Sequence, residues 1–392
     1  MNKDYFQRAT AALREAGLHH PLLFIDRDKL DDNIDVILKG LAKGPALRIV
    51  DKSLPSVPLM RHIMAGCQTA RVMSFHLPMA LSVLEAFPQV DILFGKPMPV
   101  AALSSCLRTA TAYVIQDLFR RSVFLIDTFT RLEQYSNLAS QSGLSVRIAF
   151  EVDVGMHRGG FRNTKMLASA VERVSLMPEL KIEGLMAYDA HIPQLPVFAG
   201  RARERSFVDA RLAEFVKILP QNARRIINTG GSKTAFSHHP QGVATEVSIG
   251  SAFVKPADFD VANLSSLQPA AFIATPILKI GDAHLPGPSV LTATMQRLRL
   301  FPKRSCFLYG GNWMAEPVYP ASMKENWLWG KSSNQQMMAL HKHSTDKVDD
   351  FAFFRPTQSE AVLQSMDGLY VISGGKVEER WDTIPFGTFS GI

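Results

Sequence analysis

The amino-acid sequence predicts an α/β fold in which a parallel (β/α)8 barrel of the TIM type is followed by a mostly antiparallel β domain. Short apolar β-type runs alternate with longer helical patterns over the first two thirds of the 392 residues. Strand-like runs joined by Pro/Gly-rich turns follow, with little helical pattern. These two patterns predict a helical lead-in over residues 1–20, a barrel over residues 21–262 and a β domain over residues 263–392.

Nine apolar runs are candidates for the barrel strands, and a helix-like stretch trails most of them. In chain order they are PLLFID (21–26), ALRIV (46–50), ARVMSF, VDILFG, SVFLID, SVRIAFEVDV, LKIEGLMAY, RRIINTG and, as a possible closing strand, EVSIGSAFV (246–254). A doubly wound open sheet is the alternative, but it normally has fewer strands. The strand-like pieces of the β domain are PAAFIATPILKI, SVLTATMQRLRLF, RSCFLYGGNW, DDFAFFRP and GLYVISGGKVEERW.

Composition excludes several classes of function. The net charge is +7, but Lys and Arg are spread along the chain, which disfavours a nucleic-acid patch and suits an anionic cofactor or substrate. Only three cysteines occur, without CxxC spacing, so neither a disulfide framework nor a thiolate zinc site is indicated. No apolar run is long enough to span a membrane, and the polar N-terminal stretch lacks the features of a signal peptide. We expect a cytoplasmic enzyme.

Polar residues that follow the predicted strands deserve a functional explanation, because the chemistry of such barrels lies at the carboxyl ends of the strands. Lys52 follows ALRIV, and a desolvated lysine there can form a Schiff base. Tyr188, Asp189 and His191 follow LKIEGLMA. In FEVDVGMHRGGF, Arg158 is either a solvated loop residue or a charge aimed at a ligand.

Two glycine–serine clusters indicate a phosphate site. GGSKT begins at Gly230 and Gly231 and includes Ser232, and Gly250 with Ser251 follows in the next unit. Backbone N–H groups and hydroxyls in such loops can hold a phosphate. A nucleotide P-loop is excluded, because its first glycine would have to stand where Ile227 is.

Five ordered motifs, RIVDKS, EVDVGMHRGG, GLMAYDAH, NTGGSKT and TEVSIGSAF, resemble the alanine-racemase-like (fold type III) pyridoxal-phosphate enzymes. The sequence looks nearest to the D-threonine aldolase and D-serine dehydratase group. The resemblance covers roughly residues 20–260. It implies pyridoxal 5′-phosphate as cofactor, an amino acid as substrate and a homodimer.

The resemblance assigns roles residue by residue. Lys52 stands where the family lysine carries the cofactor covalently, and Arg48 matches the arginine that begins the same motif. Arg158 matches an arginine beside the phenolic oxygen of the cofactor, with Asp153 shaping the turn. Tyr188 and His191 match residues that line the cofactor and substrate side. The phosphate loops match at a further set of positions, Gly230, Gly231, Ser232, Gly250 and Ser251. His157 is expected to point away from Arg158.

Two departures from the family pattern bear on the reaction. Ser248 stands where alanine racemases place an arginine against the pyridine nitrogen, which disfavours a simple alanine racemase. In RPTQSEAVL, Gln358 and Glu360 replace the histidine and the Cys or Asp of a divalent-metal site, although Pro356 is kept. We expect no tightly held metal there, with Glu360 bonded to the substrate or a basic residue, or acting as a base.

The leading hypothesis is a lyase that acts on a D-3-hydroxy amino acid, by aldol cleavage or by dehydration and deamination, with Lys52, His191 and Tyr188 as catalytic residues. One alternative is an amino-acid racemase or epimerase, for which Tyr309 is a candidate second base. The other is a non-catalytic pyridoxal-phosphate carrier, which the β domain disfavours. Three tryptophans of that domain fit either a dimer interface or a domain core: Trp313, Trp327 and Trp329.

Overall fold

The computed structural model describes residues 3–196, 198, 200–238 and 241–385. So far as these residues extend, the chain forms two compact units. One takes in residues 1–33, 254–260 and 267–383, and the other takes in residues 34–253, 261–266 and 384–392. The second unit holds the barrel, and the first holds a large sheet.

The barrel consists of eight strands that pair in parallel with their sequence neighbours. They are β2 (Ala46–Val50), β3 (Arg71–Ser74), β4 (Asp91–Phe94), β5 (Ser122–Ile126), β6 (Val146–Glu151), β7 (Leu180–Met186), β8 (Ile226–Thr229) and β9 (Glu246–Ile249). Strand β2 pairs with both β3 and β9, which closes the ring. The predicted parallel barrel is confirmed.

Helices fill the connections between the barrel strands. They are α2 (Arg27–Leu41), which leads into β2, then α3 (Val57–Cys67), α4 (Leu77–Ala86), α5 (Val100–Thr109), α6 (Ala112–Arg121), α7 (Phe129–Ser142), α8 (Thr164–Val174) and α9 (Arg201–Ile218). Four begin where a side-chain oxygen caps a backbone N–H of the first turn, at Ser56, Thr111, Thr128 and Asn163. Such caps satisfy donors that the helix itself leaves unpaired.

The barrel interior is apolar in its middle and ionic toward the amino ends of the strands. Val50, Met73, Leu93, Leu125 and other apolar side chains form one buried cluster. Closer to the amino ends, Arg48 is fully buried between the carboxylates of Glu246 and Asp91. A buried guanidinium needs such partners, because an unpaired charge away from water is strongly destabilising.

The other unit contains a nine-stranded sheet. Its strands are β1 (Leu22–Asp26), β10 (Ala271–Asp282), β11 (Arg304–Leu308), β12 (Ala315–Tyr319), β13 (Lys324–Glu325), β14 (Met337–Leu340), β15 (Phe351–Pro356), β16 (Leu369–Ser373) and β17 (Lys376–Trp381). All pairs are antiparallel except β1 with β16. The mostly antiparallel β domain is confirmed.

Two element predictions need correction. The run Pro21–Asp26 does form a strand, but β1 pairs with β10 and β16 in the nine-stranded sheet and is not a barrel strand. The run beginning at Ser289 forms the helix α10 (Ser289–Arg297) instead of a strand. Its β-branched residues gave a strand-like pattern, but most of its side chains are at least partly exposed and need no sheet to bury them.

Aromatic side chains form the core beside α1 (Lys3–Glu15). Phe6 of this helix stacks on Tyr319 at 5.2 Å between ring centroids and also contacts Phe353 at 4.9 Å. The helix thus buries one apolar face on the sheet of its own unit, while its other face is polar.

Candidate active site

Lys52 lies in the first turn after β2, at the carboxyl end of the barrel. Residues Asp51–Ser53 form a short 3-10 turn directly after the strand. The ammonium Nζ of Lys52 lies 4.7 Å from the centroid of the Phe75 ring, which follows β3. This cation–π contact orients the amine across the ends of two neighbouring strands. The structure places Lys52 where the strand-end argument predicts it.

Asp51, the residue before Lys52, is a fully buried carboxyl group. Neither carboxylate oxygen has a hydrogen-bond partner of normal geometry among the described residues. Burial raises the pKa of Asp51 to about 7, although the Ser74 hydroxyl, nearby backbone amides and the Lys52 charge partly oppose the shift. A carboxyl group that titrates near neutral pH therefore sits beside the lysine.

The loops after β8 and β9 meet at one hydroxyl group. The Oγ of Ser232 accepts hydrogen bonds from the backbone N–H groups of Gly250 and Ala252, each at 3.2 Å. Ser251 donates to the Ser53 hydroxyl at 3.1 Å, which ties this loop to the turn that carries Lys52. Because its oxygen accepts both amide protons, the Ser232 hydroxyl can direct its own proton to a phosphate oxygen.

Arg158 lies over the ring of Tyr188. The guanidinium carbon Cζ is 4.9 Å from the ring centroid, and Nη2 is 3.8 Å from Oε1 of Glu151. Burial raises the pKa of Glu151, and the Arg158 charge opposes that rise. Gly231 backs the same tyrosine so closely that an added Cβ would lie 3.0 Å from its Cε2. Arg158, Tyr188 and the β8 loop therefore form one surface.

His157 turns to solvent, as predicted. Its side chain is 80% exposed, and Nδ1 lies 2.9 Å from Oδ2 of Asp153. The other oxygen of Asp153 accepts the backbone N–H groups of Gly155 and His157, each at 3.0 Å. Asp153 thus shapes the turn before Arg158, the role that the sequence assigned to it.

His191 pairs with a residue that the sequence analysis missed. Its Nε2 lies 3.1 Å from Oε1 of Glu204, in the first turn of α9. Its Nδ1 is buried and has no hydrogen-bond partner among the described residues. Because a carboxylate only accepts hydrogen bonds, Nε2 carries the proton in the neutral ring, and Nδ1 keeps a free lone pair.

A second network centres on Asp189, which is fully buried and whose partners the sequence did not indicate. Its carboxylate accepts hydrogen bonds from Arg205 of α9 and, at 2.6 Å, from the Thr234 hydroxyl. The His238 ring lies 3.3 Å away. Burial alone would raise the pKa of Asp189, but His238, Arg205 and Thr234 together hold it well below its ordinary value. This network fixes the β7 and β8 loops to one helix.

The contacts form a nearly continuous chain around the barrel mouth. They run from the Lys52 turn to the β9 loop, on to Ser232 and Gly231, and then through Tyr188 to Arg158. The structure therefore brings together the predicted lysine, arginine, tyrosine and phosphate-loop residues at one end of the barrel.

Residues 25–257 match the family described as alanine racemase, N-terminal domain. The match covers more than half of the chain. The chain belongs to this family. The enzymes of this fold family depend on pyridoxal phosphate. A D-threonine aldolase of Arthrobacter sp. is 23% identical over 264 residues, which cover 66% of this chain and 65% of that relative. The matched region thus spans just under two thirds of the curated relative.

Solved structures share the fold at low sequence identity. The D-threonine aldolase of Filomicrobium marinum superposes with a TM-score of 0.70 at 15% identity, covering 93% of this chain and 97% of that chain. The D-threo-3-hydroxyaspartate dehydratase of Delftia sp. HT23 gives 0.72 at 15% identity, with coverages of 93% and 97%. An alanine racemase of Bacillus anthracis gives 0.68 at 14% identity, with coverages of 93% and 98%. At these identities the likeness shows the fold alone.

The family motif that begins at Arg48 does not place this arginine at the cofactor site. All five of its N–H donors are engaged, with the carboxylates of Glu246 and Asp91 and the backbone carbonyls of Val72 and Asp91. The predicted cofactor-binding role of Arg48 is therefore corrected to a structural role inside the barrel. No donor remains for a ligand.

Ser248 is also an interior residue in this family member. Its hydroxyl donates to Oδ1 of Asn228 at 3.1 Å, and the side chain is buried. A neutral hydroxyl with this partner supplies no positive charge at the position that racemases give to an arginine.

Gln358 directly precedes the short helix α11 (Ser359–Val362) of the other unit, and Glu360 lies within this helix. Gln358 donates to Oδ2 of Asp258 at 3.0 Å, and Ser359 donates to Glu360 at 3.2 Å. No group of three or more His, Cys, Asp or Glu side chains suited to a metal occurs within the described parts of the chain.

The aromatic residues of this unit have different environments. Trp313 packs edge-on against Phe354 and Trp329 against Phe307, and both tryptophans are partly buried. Trp327 and Tyr309 are exposed, by 74% and 44%. In the part of the chain that the structure describes, no helix is long and apolar enough to cross a membrane.

Proposed function

We propose that the protein is a pyridoxal-phosphate-dependent lyase that acts on a D-3-hydroxy amino acid. The observation that carries this proposal is the chain of contacts joining Lys52, the phosphate-loop residues, Tyr188 and Arg158 at one barrel mouth. Similarity to a D-threonine aldolase and a D-3-hydroxyaspartate dehydratase supports the substrate class.

The residues present fit the cofactor. The Ser232 hydroxyl, whose oxygen accepts the Gly250 and Ala252 amide protons, keeps its own proton to donate to the cofactor phosphate. The Lys52 amine is the group for covalent attachment, and Arg158 is a cation for the phenolic oxygen. When bound, the cofactor makes the bonds of the substrate Cα labile by withdrawing electrons from that carbon.

The protein's own groups then decide which bond breaks. Arg158 provides a positive charge, and the Tyr188 ring packs against its guanidinium group and so helps to position this charge. His191 offers a proton-accepting nitrogen near the same loops. Ser248 weighs against racemisation of the alanine-racemase type, since it leaves the racemase arginine position uncharged.

The assay that tests the proposal uses purified protein with added pyridoxal phosphate, D-threonine and D-serine, and L-threonine as the stereochemical control. Glycine with acetaldehyde marks aldol cleavage, and 2-oxo acid with ammonia marks dehydration and deamination. No product from a panel of D-3-hydroxy amino acids would refute the proposal. Exchange of the Cα hydrogen without breakdown would indicate the racemase alternative. Retention of the cofactor with no turnover would indicate the carrier. We further propose that the protein is cytoplasmic and forms a homodimer. Sedimentation of the purified protein tests the homodimer.

A further inference from the structure

A cavity of about 220 Å³ lies in the unit that contains the nine-stranded sheet. Residues of α1, of β1, of the first turns of α2 and of the end of β16 with its following turn line it. The apolar part of this lining includes Ala9, Phe24 and Ile372, which are all buried. Lys52 belongs to the other unit, so the cavity has its own set of side chains.

One part of the lining is an array of half-buried and buried polar groups. The Tyr5 hydroxyl donates to Oδ2 of Asp26 at 2.8 Å, and Nζ of Lys29 lies 3.6 Å from the same oxygen. The Lys29 ammonium also lies 3.2 Å from the centroid of the Tyr5 ring. The other oxygen of Asp26 accepts the backbone N–H of Lys29 at 3.0 Å. These contacts hold the Lys29 amine at the cavity.

Arg8 brings a second positive charge to the same cavity. Its guanidinium forms no ion pair with a carboxylate of the described residues. Burial lowers the pKa of Lys29 to about 8, and the Arg8 charge adds to this effect while Asp26 opposes it. Because like charges repel, an anion bound between Arg8 and Lys29 would be stabilised by both.

Two carboxylates of α2 also line the cavity, and they differ in their capacity for a ligand. Asp28 uses both oxygens in the turn after β16, where the Ser373 hydroxyl and the Gly374 N–H donate to them. Asp32 uses one oxygen, which accepts a hydrogen bond from the Gln268 amide at 3.1 Å. Within the described residues nothing donates to its other oxygen, which can therefore accept a hydrogen bond from a ligand ammonium group.

We propose that this cavity binds a small zwitterion of the α-amino acid class. The ligand carboxylate lies between Arg8 and Lys29, its ammonium group donates to Asp32, and its aliphatic side chain packs on Phe24 and Ile372. The volume is below the range of about 300 to 1,000 Å³ that suits drug-sized ligands, so the ligand is a small amino acid.

The charges of the lining select a zwitterion over other small ions. Two cations, Arg8 and Lys29, stand beside three carboxylates, Asp26, Asp28 and Asp32. This balance disfavours a phosphate or a dicarboxylate, which would add negative charge without a matching cation. A ligand with a single positive charge would leave Arg8 without a counterion. An amino acid supplies one charge of each sign and so satisfies both Arg8 and Asp32.

The first test uses three probes of one shape on the cofactor-free protein. Valine carries both charges, isovalerate only the carboxylate and isobutylamine only the ammonium group, and none has a 3-hydroxyl group for the proposed lyase reaction. The Ile372 δ1 methyl signal, assigned from the I372V spectrum, reports occupancy of the cavity. We expect saturable shifts with valine of either configuration, and affinities at least about tenfold weaker for each analogue. No shift with valine, or equal affinity for isovalerate, would overturn the proposal.

The second test removes the two ligand contacts one at a time. Arg8→Gln should weaken the binding of valine and isovalerate by about tenfold, because the carboxylate loses a charged donor. Asp32→Asn should weaken valine by a similar factor and leave isovalerate unchanged. Both side chains are exposed, so we expect both variants to fold. Parent-like valine affinity in either variant would overturn the proposal.

Two further variants control for charge and for binding elsewhere. Arg14→Gln removes a guanidinium from the same helix, one that pairs with Asp350 at 3.0 Å, and should bind valine like the parent. Lys52→Ala should keep the valine-induced shift of Ile372, because Lys52 does not line the cavity. Loss of the shift in Lys52→Ala would place valine at the barrel mouth and overturn the proposal. A retained shift supports it whether or not the protein proves to be a lyase.

Discussion

Gly155 lies directly against His191: a methyl group on this glycine would be 3.1 Å from Nε2, and the residue has a φ of +124°. Both facts require glycine, since L side chains rarely adopt this backbone conformation. The loop that carries Arg158 and the loop that carries His191 are thus fitted to each other at one residue.

Gly155→Ala should therefore lower both stability and aldol cleavage. The strained φ should cost about 1 kcal/mol or more in the free energy of unfolding, and displacement of the His191 ring should reduce kcat. Urea unfolding and the D-threonine assay measure the two effects. Gly159→Ala is the control, because nothing lies within 4 Å of its added Cβ. Equal behaviour of the two variants would contradict the fit described here.

Asp51→Asn should change how stability depends on pH. The pKa of Asp51 rises from 3.8 in the unfolded chain to about 7 in the folded protein. The folded state keeps this proton while the unfolded state loses it, so the group lowers stability as pH rises through this window. At about 1.4 kcal/mol per unit, the cost approaches about 4 kcal/mol above pH 7.

We expect the stability advantage of Asp51→Asn over the parent to grow by about 2 to 3 kcal/mol between about pH 5 and pH 8. Urea unfolding of the cofactor-free proteins at both pH values measures it. A difference that does not change with pH would show that the buried carboxyl group does not titrate near neutrality.

Arg48→Met should destabilise the barrel without a direct effect on the cofactor. The change removes Arg48 from the buried carboxylate of Glu246 and the partly exposed carboxylate of Asp91, and loss of one partner of a buried ion pair typically costs about 3 to 5 kcal/mol. Thermal unfolding measures this loss. Cofactor affinity, measured at low temperature on the folded fraction, should stay within about twofold of the parent, an energy difference of under about 1 kcal/mol. Normal stability with lost affinity would restore Arg48 to the cofactor site.

Ser232→Ala should weaken the binding of pyridoxal phosphate but not of pyridoxal. The hydroxyl organises the two amide groups of the β9 loop, at Gly250 and Ala252. Loss of this arrangement and of one hydrogen bond to a charged phosphate should cost about 1.4 kcal/mol or more, roughly tenfold in Kd. Titration of both compounds measures it. An equal loss for pyridoxal would place the phosphate elsewhere.

The barrel could be predicted from the sequence because each strand is a short apolar run that ends at polar residues. That pattern does not specify which other strand a given strand pairs with. All five residues of β1 are buried, and the run reads the same whether its neighbours belong to a barrel or to an antiparallel sheet. Only the long-range pairing with β10 and β16 decides between them.

The candidate site was predictable where its residues directly follow strands, as Lys52, Tyr188 and His191 do. Arg48 shows the limit of motif adjacency. Arg48 lies within β2 with its side chain buried inside the barrel, whereas Lys52 lies in the 3-10 turn after the strand, so two residues of one motif have different surroundings.

Glu204 and Arg205 were not predicted, because they belong to a charged helix whose pattern is that of a solvent-exposed face. The sequence RARERSFVDARL gives no sign that two of its residues reach the β7 and β8 loops. Their contacts with His191 and Asp189 follow from the way the helix packs on the barrel. The charged residues in the first turn of the helix that follows His191 along the chain were the only available indication.

The central claim is that the barrel mouth holds pyridoxal phosphate on Lys52, and one measurement tests it most directly. The protein is incubated with pyridoxal phosphate, reduced with borohydride and digested, and its peptides are mapped by mass spectrometry. We predict one pyridoxyl group per chain, on Lys52, and none at this site in Lys52→Ala. Labelling of a different lysine, or stoichiometric labelling that survives in Lys52→Ala, would contradict the account.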